Sequence, residues 1–125
     1  DIMEDCIFCK IIKGEIPSNK VFENEYIYAF RDIAPCAPVH VLVVPKKHIS
    51  SAMQLTQKDD ALLGKIFEAV NEVARICGVD KSGYRVVTNV GRDAGQSVLH
   101  LHFHVLGGRP FMNDMSTPNA GCEEH

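Results

Sequence analysis

Residues 56–77, TQKDDALLGKIFEAVNEVARIC, form one long run. In it Leu62, Leu63, Ile66, Phe67, Val70, Val73, Ala74 and Cys77 recur three or four apart, the spacing of an amphipathic helix. Short β-branched and aromatic runs lie on both sides of it. A chain with strands clustered before and after a single major helix lacks the crossovers that parallel pairing demands. It must build a largely antiparallel sheet with the helix packed across it, an α+β fold. Thr56 and Asp59 predict a capping box at the helix start, and Gly78 predicts a left-handed ending.

The flanking runs give the strand order. Residues 21–22 and 26–30 predict a hairpin turning at Glu23, Asn24 and Glu25, and HVLVVP, ended by Pro45, predicts a strand buried on both faces. YRVVTNV and VLHLHFHVL predict the last two strands, joined by GRDAGQS. The expected architecture is a five-stranded, mainly antiparallel sheet in the order β-β-β-α-β-β. With 125 residues, 46% of them apolar, the chain reads as a single domain, 1–125, with its core over about 6–109 and a tail of little periodicity over 110–125.

A net charge of −3 supplies no general basic field, so nucleic acid is not an expected partner. Apolar runs far shorter than the roughly 20 residues of a spanning helix predict no membrane partner either. Five cysteines are an odd number, and no basic-then-apolar leader precedes them. A reducing, cytoplasmic location is therefore expected rather than a secreted disulfide framework.

Within SVLHLHFHVLGG, His100, His102 and His104 alternate with Leu101, Phe103 and Val105. On a strand the three imidazoles share one face, with neighbours in the row about 6.6–6.8 Å apart. Three readings stand: solvent-side histidines, metal ligands completed from elsewhere, or acid–base and nucleophilic groups. The loop before them, NVGRDAGQSVLH, places Asn89, two glycines, Gln96 and Ser97 beside the row. Such a turn can aim backbone N–H groups at an anion. Loop and histidines together point to phosphoryl chemistry.

HLHFHVL fits the His-x-His-x-His-x-x signature with apolar x, and so resembles the histidine triad superfamily. FCKIIKGEIPSNKVFENE, AFRDIAPCAPVHVLVVPKKHIS and VVTNVGRDAGQSVLHLHFHVLGGR are similar to its HINT (histidine triad nucleotide-binding) branch. The resemblance covers residues 6–109 and implies a HIT-like fold with a short N-terminal helix, paired as a homodimer into a ten-stranded sheet. It implies a purine nucleoside phosphoramidase that releases an amine and a nucleoside monophosphate such as AMP.

In that picture His102 is the nucleophile and forms a nucleotidyl-histidine, which splits one difficult displacement into two. His104 donates to a phosphate oxygen, Ser97 and the loop amides at Gly95 and Gln96 share the developing charge, and His40 completes the polar wall. Asp32 holds the ribose hydroxyls. Phe8, Ile11, Ile16, Phe30, Ile33 and Leu42 line a slot for the purine, and Asn89 stands beside the phosphate.

CIFC has the two-residue gap of a zinc half-site; a redox pair and two unlinked thiols are its rivals. The resemblance pairs Cys6 and Cys9 with His48 of PKKH and with His100. Two thiolates and two imidazoles make a closed structural zinc site with no position for a reactive water, so no cofactor is expected in the chemistry itself. Two other function classes remain: a nucleotide-binding regulatory or scaffold protein with incidental hydrolysis, and a redox or metal sensor built on Cys6 and Cys9. The chain contains no tryptophan, a departure from the family's usual C-terminal ending.

Overall fold

A computed structural model describes residues 5–111; most of the tail, including Cys122, lies outside them. The elements are α1 (Ile7–Ile12), β1 (Lys20–Glu23), β2 (Ile27–Arg31), β3 (Val39–Pro45), α2 (Asp60–Ile76), β4 (Tyr84–Val87) and β5 (Phe103–Gly107). The strands form one sheet in the order β1-β2-β3-β5-β4, with every neighbouring pair antiparallel. No helix among the described residues is long and apolar enough to cross a membrane.

Period-two alternation divides the core between the two faces of the sheet. Ile27 and Ala29 of β2, Val41 and Val43 of β3, and Phe103 and Val105 of β5 pack under Ile66, Ala69, Val70 and Val73 of α2. On the opposite face Tyr28, Phe30, Leu42 and Val44 meet Phe8 and Ile11 of α1. β3, at the centre of the sheet, is buried along both faces, as its unbroken apolar run predicts. Leu42 pairs with His104 across the ladder, which sets the histidine row on the α1 face.

The predicted ends of the helix hold with one refinement. Thr56 and Asp59 form the capping box, but around a 3-10 turn, Gln57–Asp59, that feeds into α2 at Asp60. Gly78 takes φ +75° after the last turn, the left-handed ending that only glycine adopts at no steric penalty. At the other end of the sheet, a Cβ on Gly107 would come within 2.9 Å of Val79, so a larger residue there would drive β5 and Val79 apart.

The fifth strand is shorter than its alternation suggests. VLHLHFHVL reads as one continuous strand, yet the ladder begins at Phe103, opposite Val43. Two positions further along β3 stands Pro45, the strand's last residue, which has no N–H to donate to a continuing ladder. Residues 100–102 therefore run outside the sheet and are secured by other bonds.

Candidate functional site

Those bonds build the site. Leu101 donates its N–H to the Ile49 carbonyl at 2.6 Å. The Thr88 hydroxyl, just past the end of β4, donates to the His102 carbonyl at 2.8 Å. His100 donates from Nε2 to the Pro45 carbonyl at 2.9 Å, the acceptor that the ladder leaves unused.

The histidine protons follow from partners that can act in one sense only. His102 Nδ1 lies 2.6 Å from the His100 carbonyl. A carbonyl can only accept, so Nδ1 carries the proton and Nε2 of the neutral ring carries the lone pair. Phe8 meets the His102 ring edge to face, with centroids 5.1 Å apart, and forms an apolar wall behind it. Both rings are buried.

Three residues make a second row. The Cys36 N–H donates to His40 Nδ1 at 3.2 Å, so His40 bears its proton on Nε2. That nitrogen lies 2.9 Å from His104 Nδ1 and 3.3 Å from Asp32 Oδ2. By accepting at Nδ1, His104 is left with its own proton on Nε2. Asp32, His40 and His104 bring their polar atoms within 4.8 Å of one another, but a protonated Nε2 on His40 has no lone pair for a cation. The row is a hydrogen-bond relay that ends in a donor.

The other close cluster suits a cation. Cys6, Cys9, His48 and His100 converge within 4.8 Å. Cys6 Sγ is 3.4 Å from His100 Nδ1, and Cys9 Sγ is 3.4 Å from His48 Nδ1 and 3.6 Å from His100 Nδ1. The two Nδ1 atoms are 3.2 Å apart. Zinc bond lengths at tetrahedral angles put sulfur about 3.6 Å from nitrogen and nitrogen about 3.3 Å from nitrogen. The four side chains fit that geometry.

The Nε2–H bond of His100 to Pro45 turns the lone pair on Nδ1 toward the thiols, the outer-shell contact typical of ligating histidines. Burial, with His48 and His102 nearby, lowers the His100 pKa to about 4, which keeps the ring neutral near pH 7. Burial raises the Cys6 thiol, so a cation binding there must displace a proton.

The loop over residues 91–97 is braced by Gln96. Its Oε1 accepts from Gly91 N–H at 2.9 Å, and its Nε2 donates to the carbonyls of Ser50 and Val98 at 2.8 and 3.0 Å. Both amide hydrogens are thus engaged with the protein itself. Gly91 and Gly95 take φ +80° and +85°, which permits the sharp reversal around Arg92–Ala94. Ser97 is exposed and Asn89 half-buried. Ser97 lines a cavity of about 440 Å³ together with Cys6, His48 and Ser50.

Five of the six residues read as a purine slot, Phe8, Ile11, Ile16, Phe30 and Leu42, belong to the apolar cluster on the α1 face. Ile33 does not; it is 95% exposed. It follows Asp32, whose Oδ1 accepts from Ala34 N–H at 2.8 Å and turns the chain outward at that point. Sequence reasoning missed Thr88, Cys36 and Pro45. They act through a hydroxyl, an amide and a carbonyl whose value depends on where the chain places them.

The chain and its fold have known relatives. The HIT domain family model matches residues 13–111. An uncharacterized HIT-like protein of Synechocystis is 48% identical over 108 residues, covering 86% of this chain and 94% of that protein. A purine nucleoside phosphoramidase of Escherichia coli K12 is 40% identical over 107 residues, covering 86% of this chain and 90% of that protein. The structure of a HIT family hydrolase from Clostridium thermocellum superposes with a TM-score of 0.88 at 45% identity, covering 90% of this chain and 98% of that one.

Proposed function

The chain belongs to the HIT domain family, and from that premise we propose that it is a purine nucleoside phosphoramidase working through a nucleotidyl-histidine. The observation that carries this reading is the hydrogen bond from His102 Nδ1–H to the His100 carbonyl. It leaves the lone pair on Nε2, so the nucleophile is prepared before substrate arrives.

His102 Nε2 attacks the α-phosphorus, and the phosphorus–nitrogen bond breaks as the amine takes a proton from solvent water and departs; the later attack of water on phosphorus returns a proton to solvent. Water then displaces the histidine and releases a monophosphate such as AMP. His104 donates from Nε2 to a phosphate oxygen, held in that tautomer by His40. Ser97, the backbone at Gly95 and Gln96, and Asn89 share the charge that develops. Asp32, a buried two-oxygen acceptor beside His40, engages the ribose hydroxyls. The apolar cluster receives the purine, with Ile33, exposed outside that cluster, contributing to the lining.

Cys6, Cys9, His48 and His100 hold a zinc ion in this reading. With all four positions filled by protein, such an ion staples the fold and has no coordination site for a reactive water. A cytoplasmic setting keeps the two thiols reduced. The assembly is a homodimer through α2 and β4, for which β4 offers an open sheet edge and α2 offers exposed Phe67 and Ile76.

The test is His102→Ala with an adenosine phosphoramidate. Amine release should vanish while AMP affinity stays within a few-fold, and a slow substrate should leave a nucleotidyl adduct on His102 in the wild type, located by peptide mass. Retained turnover in the variant defeats the mechanism. Negligible wild-type turnover across phosphoramidates and adenylates, with AMP still bound, points instead to a nucleotide-binding regulatory protein.

A further inference from the structure

The segment that carries the nucleophile does not belong to the sheet. The ladder between β3 and β5 ends at Val43 and Phe103, so the peptides of His100 to His102 lack the strand pairing that fixes His104. His100 is the residue that anchors this stretch to both sites. Its ring is held at Nδ1 among Cys6, Cys9 and His48 and at Nε2 by Pro45. Its carbonyl accepts the proton of His102 Nδ1.

We infer that His100 is a positioning residue through which occupancy of the Cys6, Cys9, His48 and His100 cluster sets the orientation and tautomer of the nucleophile His102. The inference rests on the proposed role of His102 and deepens it. A cation that fixes the His100 ring narrows the positions open to its Cα and carbonyl. The same carbonyl is the acceptor that aims His102 Nε2 at phosphorus. When the cluster is empty, the ring retains its Pro45 bond, but no shared ion ties it to the two thiols and His48, and the carbonyl has more freedom. Coupling of this kind is reciprocal for binding: whatever the cation does for a nucleotide at His102, the nucleotide does for the cation.

The experiment has two arms. Zinc affinity is measured by competition with a chromophoric chelator, with and without saturating AMP; zinc should bind at least about threefold more tightly with AMP present. Turnover and the imidazole Nδ1–H resonance of His102 are then compared in zinc-loaded and metal-free protein and in Cys6→Ser. Serine is chosen because Cys6 Sγ also caps α1 by accepting from Cys9 N–H at 3.4 Å, and a serine oxygen preserves that cap.

Loss of metal should lower kcat at least about tenfold, leave KM within twofold and weaken the His102 N–H signal through faster exchange. Cys6→His, which replaces one ligand with another, should restore all three. Zinc affinity that is indifferent to AMP overturns the inference, whatever happens to kcat, and the AMP arm needs only the wild-type protein. Should no metal state release amine while AMP still tightens zinc binding, the coupling stands and the proposed activity falls.

Discussion

His40 and His104, 64 residues apart in the chain, face each other with Nε2 of the first 2.9 Å from Nδ1 of the second. The Cys36 amide decides the direction of that bond. By donating to His40 Nδ1 it places the His40 proton on Nε2, and so the His104 proton on the nitrogen turned away from His40. Asp32, 3.3 Å from His40 Nε2, stabilises positive charge on the row when proton density moves along it.

The relay predicts a graded response at His40. His40→Ala removes the donor that fixes the His104 tautomer, and kcat should fall by about 10²-fold, the lower range for loss of a positioned proton donor. In His40→Gln the amide nitrogen reaches close to the position of Nε2 and still donates, so the loss should stay under about tenfold. Steady-state kinetics on one phosphoramidate compares the two. Equal losses in both variants would show that the tautomer is set elsewhere.

Thr88 bonds the backbone of His102, from its hydroxyl to the His102 carbonyl at 2.8 Å. Thr88→Val keeps the shape and removes the donor, leaving a buried carbonyl short of a partner, worth roughly 1–3 kcal/mol. Unfolding by urea should show a loss in that range. With His102 as the proposed nucleophile, kcat should fall more than AMP affinity does, because the bond holds the His102 backbone. A variant with normal kcat and a normal urea midpoint would remove Thr88 from the site.

The sheet was legible because its cause is local. Apolar spacing marks α2, an unbroken β-branched run marks β3, and alternation marks the face of His104. The histidine row was legible as a row but not as three environments, because that difference arises at Pro45. The missing N–H of Pro45 ends the ladder, and its carbonyl captures His100, a consequence of strand register that appears once β3 and β5 are paired. Cys36 and Thr88 were hidden for the same reason. Ile33 shows the opposite limit: its apolar character suggests burial, while the turn made by Asp32 and Ala34 leaves it outside.

Gln96 ties the loop before the histidine row at three points, to Gly91, Ser50 and Val98. Gln96→Glu keeps the acceptor for Gly91 N–H but sets a carboxylate against two carbonyl oxygens; Gln96→Leu loses all three bonds. Both should destabilise the protein, by about 1–3 kcal/mol for the polar groups left unpaired. Both should also raise the AMP dissociation constant about tenfold, as the loop amides lose their alignment. Calorimetric AMP binding decides this, and unchanged affinity in both would show that the loop does not cradle phosphate.

His100 predicts an acid sensitivity that belongs to the metal-free protein. Burial lowers its pKa in the folded chain to about 4, from the ordinary 6.5 of a free imidazole. Between those values the unfolded chain binds the proton and the folded chain does not, so stability falls as pH falls through that window and is unaffected by this group above it. The full difference corresponds to about 3 kcal/mol. Bound zinc should mask the effect at first, because the metal occupies Nδ1, and should then be lost as protons compete for the four ligands. Urea unfolding in the presence of a chelator, at pH 7 and again at pH 4.5, provides the measurement. The wild type should lose more stability over that interval than His100→Leu, which has no group to titrate there. Equal losses in the two proteins would mean that the buried ring does not control acid stability.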